Sequence, residues 1–320
     1  MKPFRAYLQR RRSSTVRPAR SLLKDQSFPS GLWVIGTPLG NLSDLSPRAE
    51  MALSIADMIL CEDTRRTATL LSALSISNAL PRLRRFDDYT PQNILQNWVH
   101  QLKLGQNLAL VTDAGTPCIS DPGWSLISLA KKENILVSPI PGPSAVTALL
   151  SVSGFSDSSF SFKGFFPRKP NEQKNELSKA QSCTDVTRIF VWFEAPSRIT
   201  STLEAIYNFD PNLDMVVGKE ITKIHESFFY GTSTNVLQQI IQQVNNNGAL
   251  GEWCFAIKFP VLEKVKDSSW KITLKCLINS KISVQDSVKQ VCEGYEMSKK
   301  EVYNFAIEYS KSLKDEPVNK

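Results

Sequence analysis

The chain has 320 residues, six cysteines, two histidines and a formal charge of +7. That length accommodates two domains with cores of ordinary size. Cysteines that are widely spaced, with no CxxC pair, and so few histidines argue against a zinc site or disulfide framework and for a reducing compartment. No stretch reaches the roughly 18 apolar residues of a membrane span, so a soluble protein without a membrane partner is expected.

The charge is unevenly placed. Residues 1–30 carry eight basic side chains against the single acid Asp25, and the remaining residues balance at thirty of each sign. All of the excess therefore sits on an N-terminal arm that is expected to be disordered. Three readings of it compete: an arm that binds RNA phosphates by counterion release, with Arg10, Arg11 and Arg12 as contacts; an organelle transit peptide; or an over-extended terminus without a role. The compartment follows from that choice, the cytoplasm or an organelle matrix.

From Gly31 onward strands and helices alternate. Leu32–Ile35 reads as a strand running into the turn Gly36-Thr37-Pro38-Leu39-Gly40-Asn41, and 47–56 as a helix with apolar positions 49, 52, 53 and 56 on one face. Met58–Cys61 is a short buried strand ending in Glu62-Asp63-Thr64-Arg65. Helices are expected at 67–74 and 91–104, a buried strand from Leu108, a helix at 123–132, a strand at 136–140 and a helix from Ser144-Ala145 to about Val152. Crossovers of this length imply a mostly parallel sheet with helices on both faces.

Ser151–Phe160 is rich in Ser and Gly, and a boundary is placed there. Beyond it come an element from 161 to 166, a polar loop plus helix at 167–187, and strands at 188–193, 215–220 and 251–257, with an amphipathic helix near 233–244. Period-two alternation is clearer in this half, so more antiparallel pairing and a mixed sheet are expected. Near the C-terminus, Val284, Val288 and Val291 share a helical face. Gly294 interrupts it, and Ser298-Lys299-Lys300-Glu301 fits a capping box before Val302, Phe305, Ala306 and Tyr309. Such a pair is either a helix-turn-helix touching RNA through Lys299 and Lys300, with Lys289 and Lys311, or a helical seal. The expected organisation is thus arm 1–30, an α/β domain 31–150, a second α/β domain 151–265 and a helical region 266–320.

The common nucleotide, protease and hydrolase signatures are absent. What remains is a set of Gly/Pro-locked loops at strand ends, most clearly Val111-Thr112-Asp113-Ala114-Gly115-Thr116-Pro117-Cys118. In open α/β sheets ligands bind in the crevice outside such ends, where backbone groups and an apolar slot suit a small amphipathic ligand.

Seven segments carry a resemblance: GTPLGNLSDLSPRA (36–49), CEDTRRT (61–67), VTDAGTPCISDPG (111–123), PIPGPSAV (139–146), GFFPRK (164–169), FEAPSRI (193–199) and KEITKIHE (219–226). In order and spacing they resemble the bacterial ribosomal RNA small-subunit methyltransferase I family, across nearly the whole chain outside the arm. The resemblance implies a two-domain tetrapyrrole-methylase-like α/β fold, a homodimer, and S-adenosylmethionine as methyl donor. It also implies 2′-O-methylation of a decoding-centre cytidine in 16S rRNA, with the rRNA or the small ribosomal subunit as partner. Carried over by motif, the cofactor site takes Pro38, Asp113, Ala114, Gly115, Thr116, Pro117, Ser144 and Ala145, with Glu194 and Pro196 from the second domain. No metal is implied.

Removing a weakly acidic 2′-hydroxyl proton calls for positioning and a general base. The candidates are Glu62 and Asp63 with Arg65, and His225, with Lys223 and Glu226 beside it. Each has a structural alternative: Glu62 and Arg65 as an ion pair, His225 as a hydrogen-bonded bystander. Asp121 reads as a cap for the helix at 123. The chain departs from the family at Arg85-Phe86-Asp87-Asp88-Tyr89-Thr90-Pro91, where members carry a His- and Asn-containing segment. Two other classes stay open: a small-molecule, tetrapyrrole-type methyltransferase, and a non-catalytic RNA-binding protein on the same fold.

Overall fold

The computed structural model describes residues 28–184, 186–261, 269–295 and 297–315. Arg10, Arg11 and Arg12, with most of the basic arm, lie outside them. The chain divides between Pro260 and Val261 into two compact units.

The larger unit opens with five parallel strands: β1 (Leu32–Ile35), β2 (Met58–Cys61), β3 (Leu83–Arg85), β4 (Leu108–Leu110) and β5 (Val137–Ile140). Their order is β3-β2-β4-β1-β5. Successive residues face opposite sides of a strand, and here both sides are apolar. Trp33, Ile35, Ile59 and Ala109 pack against Ala49, Ala52 and Leu53 of α1 (Pro47–Ile55) and Leu71 of α2 (Thr64–Ala73). Leu32, Leu60, Leu108 and Leu110 pack against Leu95, Trp98 and Leu102 of α3 (Gln92–Lys103) and Leu126 of α4 (Trp124–Lys132). Each fully buried side chain of this size contributes about 1.5–3 kcal/mol, which is why the four-residue apolar runs hold as strands between helices.

Local signals fix the helix starts. Ser46 accepts the Ala49 N–H, with Pro47 as the first helical residue of α1; Asp63 accepts the Arg65 N–H and so begins α2 three residues earlier than periodicity suggests. A fifth helix, α5 (Ala145–Val152), leads to the second sheet.

That sheet holds β6 (Phe160–Phe165), β7 (Ile189–Glu194), β8 (Asp214–Lys219), β9 (Ser227–Thr232) and β10 (Trp253–Lys258), in the order β6-β7-β10-β8-β9. β6 pairs with β7 in parallel and every other pairing is antiparallel. One face carries Phe190, Trp192, Met215, Val217 and Phe255 beneath α6 (Pro170–Ser182), α7 (Ile199–Phe209) and α8 (Ser233–Asn247). The other face carries Val191, Val216, Cys254 and Ala256, which receive Val146 and Leu149 from α5. Register slips by one residue between Phe162 and Phe165, where Gly164 adopts φ +73°. This bulge turns the end of the edge strand.

Two elements of this architecture carry no clear sequence period. β3 is only three residues long. β9, reading Ser-Phe-Phe-Tyr-Gly-Thr, is an edge strand half-buried on both faces, so its aromatics do not alternate. α7, by contrast, buries Ile199, Thr202, Leu203 and Ile206 at the i, i+3, i+4, i+7 spacing of an amphipathic helix.

The smaller unit contains α9 (Ser269–Asn279), α10 (Val284–Tyr295) and α11 (Lys299–Asp315) around Trp270, Leu274, Val288, Val291, Val302 and Ala306. It is a three-helix cluster rather than the helix pair read from sequence, α9 being the addition. Lys299 and Lys300 are exposed on the first turn of α11. Among the described residues no helix is long and apolar enough to cross a membrane.

Candidate active site

The loops leaving β1, β4 and β5 are zipped together at the carboxyl edge of the parallel sheet. Thr37 and Gly115 exchange backbone hydrogen bonds of 2.8 and 3.0 Å, and the buried Thr37 hydroxyl donates to the Thr112 carbonyl at 3.0 Å. Gly115 holds φ +92°, a conformation that favours glycine. The Thr116 hydroxyl donates to the Pro143 carbonyl at 3.2 Å, tying the β4 loop to the β5 loop. Gly36 and Gly142 meet backbone to backbone, with no room for a side chain on either. Next to them, Cys118 and Ser120 adopt φ of 70° and 68°, strain of a kind that concentrates at functional loops.

Over these loops lies a cleft of about 490 Å³. Its floor is Asp113, Ala114, Gly115 and Thr116 together with Ser144 and Ala145; its far wall is the ends of β7 and β10, including Glu194, Pro196 and Gly251–Cys254. Eight of the ten residues read from sequence as cofactor-binding therefore line one cleft. Pro38 and Pro117 do not; both are buried beside it and stiffen the loops that do. Leu39, Phe165, Phe193 and Ile221 line it as well. Sequence reasoning passes over them because apolar residues beside strands read as core; their one signal is adjacency to the quoted motifs.

Glu194 reaches the cleft while its carboxylate turns to the helical side. That carboxylate lies 2.5 Å from Arg198 Nη2 and accepts hydrogen bonds at 2.6 Å from the Thr202 hydroxyl and the Ala195 N–H. Arg198 in turn donates to the carbonyls of Phe166 and Pro167 at 3.3 Å. The motifs at 164–169 and 193–199 are thus one hydrogen-bonded unit.

Of the four catalytic candidates, only Glu62 lines the cleft. It stands at the mouth. Partial desolvation pushes its pKa up, and the negative charges of Asp113 and Asp121 reinforce the shift. Asp121 is raised too, by burial first and then by Asp113. Asp113 accepts the Asp63 N–H at 3.2 Å and pairs with Arg66 at 3.2 Å, which ties the segment after β2 to the β4 loop. Asp63 faces the other way: hydrogen bonds from the Arg65 side chain and N–H hold its carboxyl well below the usual range. Arg65 is largely exposed, and so is His225, outside the cleft lining.

Lys223 sits where the second sheet meets the β1 loop. Its ammonium lies 2.8 Å from Glu220 and 3.2 Å from Glu252, while its stem fills the space a side chain on Gly40 would need. Burial works against the lysine's charge, but the two carboxylates more than offset it and raise its pKa. Burial likewise pushes Glu220 up, and the hydrogen bonds from Lys223 and the Glu252 N–H bring it net downward. The backbone pays locally, Glu220 and Thr222 having φ of 52° and 70°.

A family model described as tetrapyrrole (corrin/porphyrin) methylases matches residues 31–236. A protein of Synechocystis sp. named ribosomal RNA small subunit methyltransferase I is 34% identical over 87% of this chain and 97% of its own. One of the same name from Thermotoga maritima is 38% identical over 69% of this chain and 95% of its own. Among solved structures, a diphthine synthase superposes with a TM-score of 0.53 at 14% identity, covering 71% of this chain and 89% of that one, a likeness of fold. The matched span contains the whole first sheet, every strand of the second except β10, and the four loops of the cleft floor and mouth, and on these grounds the chain belongs to the tetrapyrrole methylase family and, within it, to the ribosomal RNA small subunit methyltransferase I family.

Proposed function

We propose that this chain transfers a methyl group to the ribose 2′-oxygen of a decoding-centre cytidine in 16S rRNA, cytidine 1402. Methyltransferases of this family use S-adenosylmethionine. The cleft suits that cofactor: its volume falls within the roughly 300–1,000 Å³ usual for small-molecule sites. Leu39, Phe165, Phe193 and Ile221 offer apolar surface for an adenine, and the carboxylates of Asp113 and Asp121 suit a cationic sulfonium. Asp113, the Ala114–Thr116 backbone, Ser144 and Ala145 would hold it, with Glu194 contributing through its main chain. Bound there, the cofactor supplies an electrophilic methyl whose sulfur departs as a neutral thioether.

The chain's own part is to place the ribose and take the proton. Glu62 carries this reading, being the one candidate base that lines the cleft, with a pKa raised toward neutrality and hence a more basic carboxylate. As the 2′-oxygen bonds to the methyl carbon, its proton passes to Glu62. Lys223, kept cationic by two carboxylates, is a poor base and serves to join the walls. A homodimer acting in the cytoplasm is part of the same proposal. The relatives' name supports RNA over a tetrapyrrole as acceptor.

The test is methylation of small ribosomal subunits from a strain lacking the native enzyme, with labelled S-adenosylmethionine and mass-spectrometric mapping. A single 2′-O-methylcytidine in the decoding centre supports the reading. Label absent from rRNA, with cofactor binding intact, overturns it.

A further inference from the structure

Two aromatic side chains of the larger unit stand out in solvent beside the cleft: Tyr89 is 93% exposed and Trp124 is 69% exposed. Each offers a free aromatic face on a segment that also supplies the cleft or adjoins a residue that lines it. Neither packs into a hydrophobic cluster of the described residues.

Both are presented by rigid backbone. Tyr89 tips the turn between β3 and α3, where the Asp87 carboxylate accepts the Tyr89 N–H at 3.0 Å and the Thr90 hydroxyl accepts the Asp87 N–H at 2.9 Å. That turn docks against the end of β2, the Phe86 N–H donating to the Cys61 carbonyl at 2.9 Å, one residue before Glu62. Trp124 opens α4 directly after Gly123, which is drawn in so tightly that a side chain there would strike the Cys118 sulfur. The same loop delivers Ile119, Ser120 and Asp121 to the cleft. Glu62, one residue beyond Cys61, and Asp121, three before Trp124, line the same cleft, so the two carriers adjoin one mouth.

We propose that Tyr89 and Trp124 form a stacking clamp that receives the unpaired base of the acceptor nucleotide, or of its immediate neighbour, and so sets its ribose against Glu62. This rests on the RNA-methylating activity proposed above. A recessed cleft reaches a 2′-oxygen most readily when its nucleotide is splayed from the helix, and an unstacked base then gains from an aromatic face. The turn and the helix start are already ordered, so little freedom is lost on binding. Arg65 and Arg66, with side chains 89% and 67% exposed on the first turn of α2, stand by with guanidinium donors for flanking phosphates.

The experiment uses the full chain with unmodified small subunits. Wild-type protein must first label rRNA; if it does not, it is the activity itself that fails. Given label, Tyr89→Ala and Trp124→Ala should each raise the KM for subunits about tenfold, in keeping with the loss of one base–aromatic stack. S-adenosylmethionine binding by calorimetry should stay at the wild-type value, which also shows that the variants fold. Tyr89→Phe and Trp124→Phe should restore KM, since the aromatic face is what is required. Unchanged KM in both alanine variants overturns the proposal, as do phenylalanine variants as impaired as the alanine ones. So does a halved mass by light scattering in the alanine variants, which would make the patch an interface between two copies of this chain.

Discussion

Gly36 and Gly142 cross with their main chains in contact: a Cβ on Gly36 would lie 2.7 Å from the Gly142 Cα, and one on Gly142 would lie 2.6 Å from the Gly36 oxygen. The obstacle on each side is backbone, which cannot rotate away. Gly36→Ala or Gly142→Ala should destabilise the protein by about 1–3 kcal/mol through overpacking. Cofactor affinity should fall with it, because Thr37 and Ser144 are displaced together. Urea denaturation and calorimetry check the two effects.

Glu62→Gln preserves shape and removes the proton acceptor. We expect kcat to fall by about 10²–10⁴-fold with cofactor affinity little changed. Asp63→Asn, at a residue that caps α2 and pairs with Arg65 outside the cleft lining, should lower kcat far less. Equal losses in the two variants would remove Glu62 from its role.

The pH dependence follows from direction alone. A protonated Glu62 cannot accept a proton, so activity should disappear as pH falls through its raised pKa. The acid limb of kcat therefore belongs above the ordinary glutamate value of 4.5. Stability moves oppositely for two groups. In the window just above 4.5 the folded state keeps the Glu62 proton longer than the unfolded chain, so this group lowers stability as pH rises there. Glu220, with its pKa lowered, contributes stability above 4.5 that is lost as pH falls through its folded value. A kcat profile in Glu62→Gln lacking that limb would agree with the assignment.

Arg198→Ala should leave the Glu194 carboxylate, whose side chain is fully buried, without its cation. Breaking such a pair costs about 3–5 kcal/mol, and the carbonyls of Phe166 and Pro167 lose a donor. A lower melting temperature with weaker cofactor binding is expected. By contrast Lys223→Arg, which can still bridge Glu220 and Glu252, should keep most of kcat; loss of activity there would reinstate a base role for the lysine.

Deleting residues 1–27 should weaken binding to ribosomal subunits and reduce the slope of log affinity against log salt, leaving cofactor affinity alone. Binding assays at several ionic strengths would show this. Identical slopes would assign the arm no RNA contact.

What was readable in the chain, and what was not, divides along physical lines. Short apolar runs closed by Asp113, Glu62 or Gly36 mark buried parallel strands and the edge at which they deliver loops, so the floor of the cleft can be named from sequence. The side chains that enter it from the far wall cannot. Phe193 and Glu194 are neighbours on one strand; the pleat sends the phenylalanine to the cleft and the carboxylate to Arg198. Only the register of β7 against β10, and the bulge at Gly164, decide which is which. The position of His225 was equally hidden. It depends on a loop whose path is set by left-handed residues at 220 and 222, to which the motif gives no clue.

The helix α5 leaves the cleft at Ala145 and lays Val146 and Leu149 on Val191, Val216 and Cys254 of the second sheet. It is thus connected to one sheet and cemented to the other. A jaw-like opening at the 150–160 crossover would have to tear that seam, exposing apolar surface worth several kcal/mol. Passage of cofactor and product through the rim side chains and loops costs less, because it leaves that seam intact. Engineering for faster exchange would then mean loosening the rim and leaving the seam alone.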